Sequence, residues 1–361
     1  MSTLTLQPAV HRTARTLIAM VTVAALALAL LVAAPAEAKK RSRGHVKWGD
    51  TSLTTKDGRY AIRGKVSGGK GRKVVLQVKW ADGWHKIDRA KTKRKGKFAI
   101  KGNFGWIGAH KVRVNVPATR KFKGKVFGAK KFTVKKTWRA RGKARSHRFF
   151  TYQRKKFAWD PCRTITYRVN PGRAGNRAIG FTKEGIRRIA AATGFKFRYA
   201  GRTNKIPLNN PRYPRGTQLI VAWSHQSDVP SLQGTVGRGG FAGGYLAKRR
   251  ASGKKVWRIE RPGATMNMAH AGNYPWAFNS TENEPMGLVL IHELGHALGL
   301  QHFSDNIQIM HSGDRPSRGG TWGAVWEKGD LAGLRKVGAN PGCMRLVRGR
   351  GDTSAPGQWM D

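Results

Sequence analysis

Acidic residues are scarce in this chain: 18 Asp and Glu stand against 70 Lys and Arg among 361 residues, a formal net charge of +52. Cysteine is almost absent. The two present, Cys162 and Cys343, lie in no nucleophile-like context, which argues against cysteine catalysis. Beyond Leu17–Ala34 no stretch is apolar enough for a transmembrane helix. There is no twin arginine and no lipobox cysteine. No helix-turn-helix, zinc finger or RNA-binding signature occurs, so sequence-specific nucleic-acid reading is not supported. The most localised absence is of cations. From Gly263 to Asp314 there is no Lys or Arg, where the overall composition places about ten. A nearby ammonium or guanidinium disfavours a bound divalent cation and competes for a carboxylate base. A buried helix also excludes charge, but that covers the polar stretch before the helix less well.

What fills that window is the run His292-Glu-Leu-Gly-His-Ala-Leu-Gly-Leu-Gln-His302. On an α-helix, residues four apart share a face, so His292 and His296 can bind one ion together. Glu293 follows the first imidazole and is placed as a general base toward water. Gly299 lets the chain leave the helix in a left-handed conformation, and the turn returns His302 as a third imidazole. Three protein ligands leave one tetrahedral position open, the catalytic kind of zinc site. Met286, Leu288, Val289, Leu290, Ile291, Leu294, Ala297 and Leu298 surround the predicted helix with apolar side chains, as expected in a core. Pro285 suits its first turn.

This H-E-x-x-H-x-x-G-x-x-H pattern resembles the metzincin superfamily, most closely its matrixin-like secreted actinobacterial members. The resemblance implies one catalytic Zn2+ held by His292, His296 and His302, Glu293 as the catalytic base, and Met310 in a structural turn beneath the metal. Similarity extends to Trp159–Asn170, like an opening strand, and to Trp322–Cys343, like a closing helix. It covers about residues 145–347. It departs at Phe303, where several branches carry Ser, Asp, Glu or Pro, and at Ser312, where others carry a Tyr. No Pro-Arg-Cys-Gly latency segment stands upstream. Nothing in the sequence assigns a calcium site.

Residues 1–38 read as a secretory signal peptide: Arg12 and Arg15, an apolar run, then Ala36-Glu37-Ala38 before Lys39. An uncleaved anchor is the alternative. Export fits two cysteines at the two ends of one domain, where a Cys162–Cys343 disulfide contributes up to about 5 kcal/mol; two free thiols are the alternative.

Residues 39–49 form a basic tail. From 50 to 136 short alternating runs broken by Asp57-Gly58, Gly68-Gly69, Asp82-Gly83 and Lys95-Gly96 predict an all-β immunoglobulin-like sandwich. Residues 39–156 hold 39 Lys and Arg against four Asp. This charge points to contact with an acidic cell-wall polymer or another polyanion, though outward lysines also keep a sheet soluble and protect its edges. Residues 137–156 read as a basic linker open to nicking, 157–347 as the catalytic domain, and 348–361 as a disordered tail. The expected fold is thus an α+β zincin/metzincin catalytic domain, a mixed sheet with long helices, behind the sandwich. Ile165–Val169, Thr217–Trp223 and Trp257–Ile259 are its predicted strands, Thr182–Thr193 a helix capped by Thr182, and Gly239–Gly244 a loop beside the cleft. His225, His270 and His311 are weaker candidates for a second metal or for proton transfer. The function so predicted is an exported zinc metalloendopeptidase acting on protein or peptide by Glu-assisted attack of water. A wall- or polyanion-binding protein with a vestigial or self-processing zinc fold is the alternative.

Overall fold

In the first half of the chain, apolar and cationic residues alternate at the period of a strand. Val74, Leu76, Val78 and Trp80 are buried, while Lys73 and Lys79 point out. The computed structural model describes residues 38–347 and 353–361; the expected signal segment lies outside the described residues except for Ala38. Nine strands come first: β1 (Gly44–Lys47), β2 (Ser52–Thr54), β3 (Arg59–Val66), β4 (Lys73–Trp80), β5 (Gly83–Lys91), β6 (Lys97–Asn103), β7 (Gly108–Val116), β8 (Lys125–Val126) and β9 (Lys130–Lys135). They form two sheets, β1-β3-β6 and β2-β9-β7-β4-β5, with β8 also on β7. Phe132 of the second sheet meets Trp48 and Tyr60 edge-on across the core.

The remainder runs β10 (Arg148–Phe149), β11 (Thr151–Tyr152), β12 (Lys155–Ala158), β13 (Ile165–Asn170), α1 (Arg177–Thr193), β14 (Phe197–Arg202), β15 (Leu219–Ser224), β16 (Gly237–Arg249), β17 (Lys255–Asn267), β18 (Asn279–Ser280), α2 (Met286–Ala297), β19 (Leu300–Gln301), β20 (Trp322–Gly323), α3 (Lys328–Val337), β21 (Met344–Leu346) and β22 (Ser354–Met360). Nine of these strands make one sheet along β11-β12-β17-β15-β13-β14, with β16 antiparallel on β17 and β21 and β22 on the far edge of β16. Among the described residues no helix is long and apolar enough to cross a membrane.

The expected fold class is overturned. The helix-rich α+β zincin/metzincin fold is not what the described chain shows: it is mostly β, with 22 strands and three α-helices of 17, 12 and 10 residues. The physical reason lies in segments whose composition hides their pairing. Gly239–Gly244, predicted as a loop, is the middle of a 13-residue strand held on both sides. Glycine has low strand propensity, and ladder bonds to two neighbours override it here. The predicted short strand at Trp257–Ile259 is part of a second 13-residue strand. Thr182 does not cap α1; it lies inside the helix, buried, and its hydroxyl accepts from Trp223 Nε1 at 3.0 Å.

The predicted linker is also structured. Phe149 and Phe150 are buried, β10 pairs with β19, and β12 runs parallel to β17. Trp138 Nε1 donates to the Trp326 carbonyl at 3.0 Å, and Arg141 pairs with the fully buried Glu327. Part of the predicted disordered tail, Ser354–Met360, is strand β22.

Two close approaches place α2. At Gly185 of α1 a Cβ would stand 2.7 Å from Leu290 Cδ2, so the helices cross where α1 lacks a side chain. At Gly239 of β16 a Cβ would collide with the Glu293 backbone. The helix is therefore clamped between α1 and the glycine-rich strand.

Candidate metal centre

The sequence of α2, Met-Gly-Leu-Val-Leu-Ile-His-Glu-Leu-Gly-His-Ala, is apolar around its circumference, and all its residues except Val289 are buried. A buried helix needs no polar face, so the two histidines and the glutamate within it stand out. Gly299 follows at φ +98°, where a Cβ would come within 2.9 Å of the Phe157 carbonyl oxygen. The chain then turns into β19, which delivers His302. The Nε2 atoms of His292, His296 and His302 lie 3.0 to 3.1 Å from one another.

The other ring nitrogens fix the tautomers. His292 Nδ1 donates to the Ile309 carbonyl at 2.6 Å and His296 Nδ1 to the Leu300 carbonyl at 2.8 Å. Each of these Nε2 atoms then presents a lone pair, and lone pairs facing one another repel unless a cation lies among them. Burial first, and neighbouring imidazoles second, hold two of the groups neutral: His292 is pulled down to about 3 and His296 well below the ordinary value. Burial also lowers half-exposed His302, against the charge of Asp361, which works to raise it. Neutral imidazole is the ligating form. The nitrogen separation is close to the roughly 3.3 Å edge of a tetrahedron with metal–nitrogen bonds of about 2.0–2.1 Å. The donor set therefore fits a zinc ion.

Glu293 is buried at 2% exposure on the same helix, and its Oε2 has no hydrogen-bond partner. Burial, and then the charge of Asp361, pushes its carboxyl well above the usual range, against the Gly239 N–H that favours the ionised form. A cation beside it works in the opposite sense, toward the carboxylate. His292, Glu293 and His302 open on a cleft of about 410 Å³ whose rim includes Tyr274, His311 and Asp361.

Met310 is buried at 1% exposure, and a Cβ on Gly295 would collide with its sulfur. The thioether thus packs directly under the turn of α2 that carries His292 and His296. Cys162 and Cys343 form a disulfide. The structure therefore brings the three histidines, Glu293 and Met310 into one centre and places the cysteines elsewhere. Of the other histidines, His311 reaches the cleft. His225 bonds Ser227 locally, and His270 Nε2 is buried without a partner.

The cation-free window is clear along the chain but less so in space. Arg315, one residue beyond it, is buried and close enough to act on His292. Arg238 stands 3.8 Å from Asp361 at the cleft. Both border the centre with acidic company, since Glu284 and Asp330 act on Arg315.

Sequence reasoning missed Asp330. It is fully buried and accepts from the backbone N–H of Ile309 at 2.8 Å, Met310 at 3.2 Å and Glu327 at 3.0 Å. Burial nonetheless pushes its carboxyl up to about 6. By holding the Ile309 peptide it fixes the carbonyl that orients His292. The available signal was Glu327 and Asp330 three apart before a helix, the spacing of the capping box they form. Replacing Asp330 by Asn turns an amide toward these donors; the expected loss is about 1–3 kcal/mol of stability, with a fall in zinc affinity of about tenfold to a hundredfold. Denaturant titration and chelator competition measure the two effects.

With this geometry in hand, a sequence profile of the matrixin peptidase family matches residues 243–321, a segment containing all three histidines, Glu293 and Met310. That match supports, for this part of the chain, a metzincin-like metallopeptidase and zinc. No curated protein matches. Among solved structures the chain is similar to a polysaccharide deacetylase from Bacillus cereus at 8% identity and a TM-score of 0.18, covering 50% of this chain and 60% of that one. A likeness that slight carries no argument about fold or chemistry.

Proposed function

We propose that the chain is an exported zinc metalloendopeptidase of matrixin-like type, with His292, His296 and His302 holding the metal. The observation that carries this reading is the convergence of three neutral Nε2 atoms beside a buried, unpartnered carboxylate. When bound, zinc supplies a Lewis acid that polarises a peptide carbonyl and acidifies water. The chain's own residues do the rest. Glu293 Oε2 accepts the proton of the attacking water and then delivers it to the departing amine. The carbonyls of Ile309 and Leu300 keep His292 and His296 in the tautomer that ligates. Met310 and Asp330 hold the turn that carries one of those carbonyls.

The test is metal analysis of the purified chain together with digestion of a peptide library, with and without chelator. One equivalent of zinc and chelator-sensitive cleavage of internal peptide bonds are expected. A metal-loaded chain that cleaves nothing would overturn the reading. For residues 39–156 the proposed partner is a polyanion: their lysines are largely exposed, and purely electrostatic binding weakens steeply with salt.

A further inference from the structure

Among the described residues, the outer edge of β16 from Gly239 to Tyr245 is covered by a single segment, β22. The register is antiparallel: Tyr245 faces Ser354, Gly244 faces Ala355, Gly243 faces Pro356, Phe241 faces Gln358, Gly240 faces Trp359 and Gly239 faces Met360. Leu246 N–H donates to the Thr353 carbonyl at 2.8 Å. Hydrogen-bonded pairs alternate along an antiparallel ladder, so Gly244–Ala355 is of the bonded kind and Gly243–Pro356 of the other. Proline therefore falls where its missing N–H costs nothing. The fit is close: a Cβ on Gly240 would collide with the Gln358 carbonyl. Ala355 is buried, and Met360 packs against the core.

The direction matters as much as the pairing. β22 enters beside Tyr245 and runs toward Gly239, the residue that touches the Glu293 backbone. It delivers Asp361 to the cleft that opens on His292, Glu293 and His302, with Arg238 Nη2 at 3.8 Å from Asp361 Oδ1. A strand laid along a free sheet edge is how an extended peptide is held by a protein. Here the chain supplies that strand itself.

We propose that residues 353–361 are an intramolecular occupant of the peptide-binding cleft, laid along β16 in the place of an extended substrate and keeping Asp361 against the histidine centre. This rests on the peptidase reading for its consequence but not for the contact itself. An occupied cleft binds incoming peptide only in the fraction of molecules whose tail has lifted. A tail docked nine-tenths of the time weakens apparent peptide affinity about tenfold.

Two variants test it: the chain ending at Val347, and the full chain with Ala355→Asp, which puts a charge at a buried tail position. The first readout is amide exchange across Gly239–Leu246 in the zinc-free protein. Protection is expected to fall in both variants while α2 and β13 keep theirs. The second is binding of a synthetic peptide of residues 353–361 to the zinc-free shortened chain, followed by fluorescence anisotropy; saturable binding is expected. The third is KM for a quenched peptide in the zinc-loaded protein, expected to fall about tenfold in both variants with kcat little changed. Should the shortened chain fail to fold, Ala355→Asp decides alone. Unchanged exchange along β16 in a folded variant overturns the proposal, as does a folded shortened chain that ignores the peptide. If no form cleaves peptide, the peptidase reading fails while exchange and anisotropy still decide the docking.

Discussion

Replacing Glu293 by Ala is expected to lower turnover of a peptide by at least about a hundredfold while leaving the metal bound. The separation of the two effects follows from the geometry. The three Nε2 atoms form their triangle without help from the carboxylate, and the bonds from His292 and His296 to backbone carbonyls are untouched by the change. The variant also removes a buried group whose Oε2 has no partner, so its stability should not fall as far as cavity formation alone suggests. Zinc content by elemental analysis and turnover of the same quenched peptide are the paired measurements. Wild-type turnover in a zinc-loaded Glu293→Ala protein would remove Glu293 from the mechanism.

Loss of the disulfide is expected to have the largest effect on stability. The bond joins residues 181 apart in sequence, and breaking such a bond typically costs about 2–5 kcal/mol. Cys162→Ser and Cys343→Ser should therefore each lower the denaturant midpoint, and a reductant should do the same to the unmodified chain. More than loop closure is involved. The β4–β5 hairpin reaches across to the bond: His85 Nδ1 lies 3.6 Å from Cys162 Sγ and 3.8 Å from Cys343 Sγ, and His85 Nε2 meets Asp82 at 2.7 Å. Asp82 also accepts the Cys343 backbone N–H at 2.8 Å, and Trp80 stacks on His85. Opening the bond thus loosens the seam between the basic half and the half that carries the histidines. Limited proteolysis of the reduced protein should show cuts near this hairpin; unchanged midpoints in both variants would contradict a structural role.

The histidine centre was legible because its information is local. A helical period places His292 and His296 on one face, and Gly299 announces the turn that brings back His302. The fold class was not legible, because strand identity here is decided by partners far along the chain. Gly239–Gly244 carries almost no intrinsic preference for a strand, yet β17 binds one side of it and β22 the other. Asp330 was missed for a similar reason. Its work is done on Ile309 and Met310, some twenty residues away, and nothing near it in sequence reports that contact. Ser354–Met360 carries a Pro, a Gly and no alternating pattern that would announce a strand, and its place is set by the edge of β16.

That edge is nearly bare of side chains between Gly237 and Gly244, where five of eight positions are glycine. Neighbouring strands ordinarily select one another through the side chains that meet across the ladder. In the proposed arrangement, a peptide beside β16 finds few such neighbours and is gripped by its amides and carbonyls. On the peptidase reading, tolerance of many residue types is the consequence on this flank, and discrimination between peptides falls to the other residues that line the cleft, Tyr274 and His311 among them.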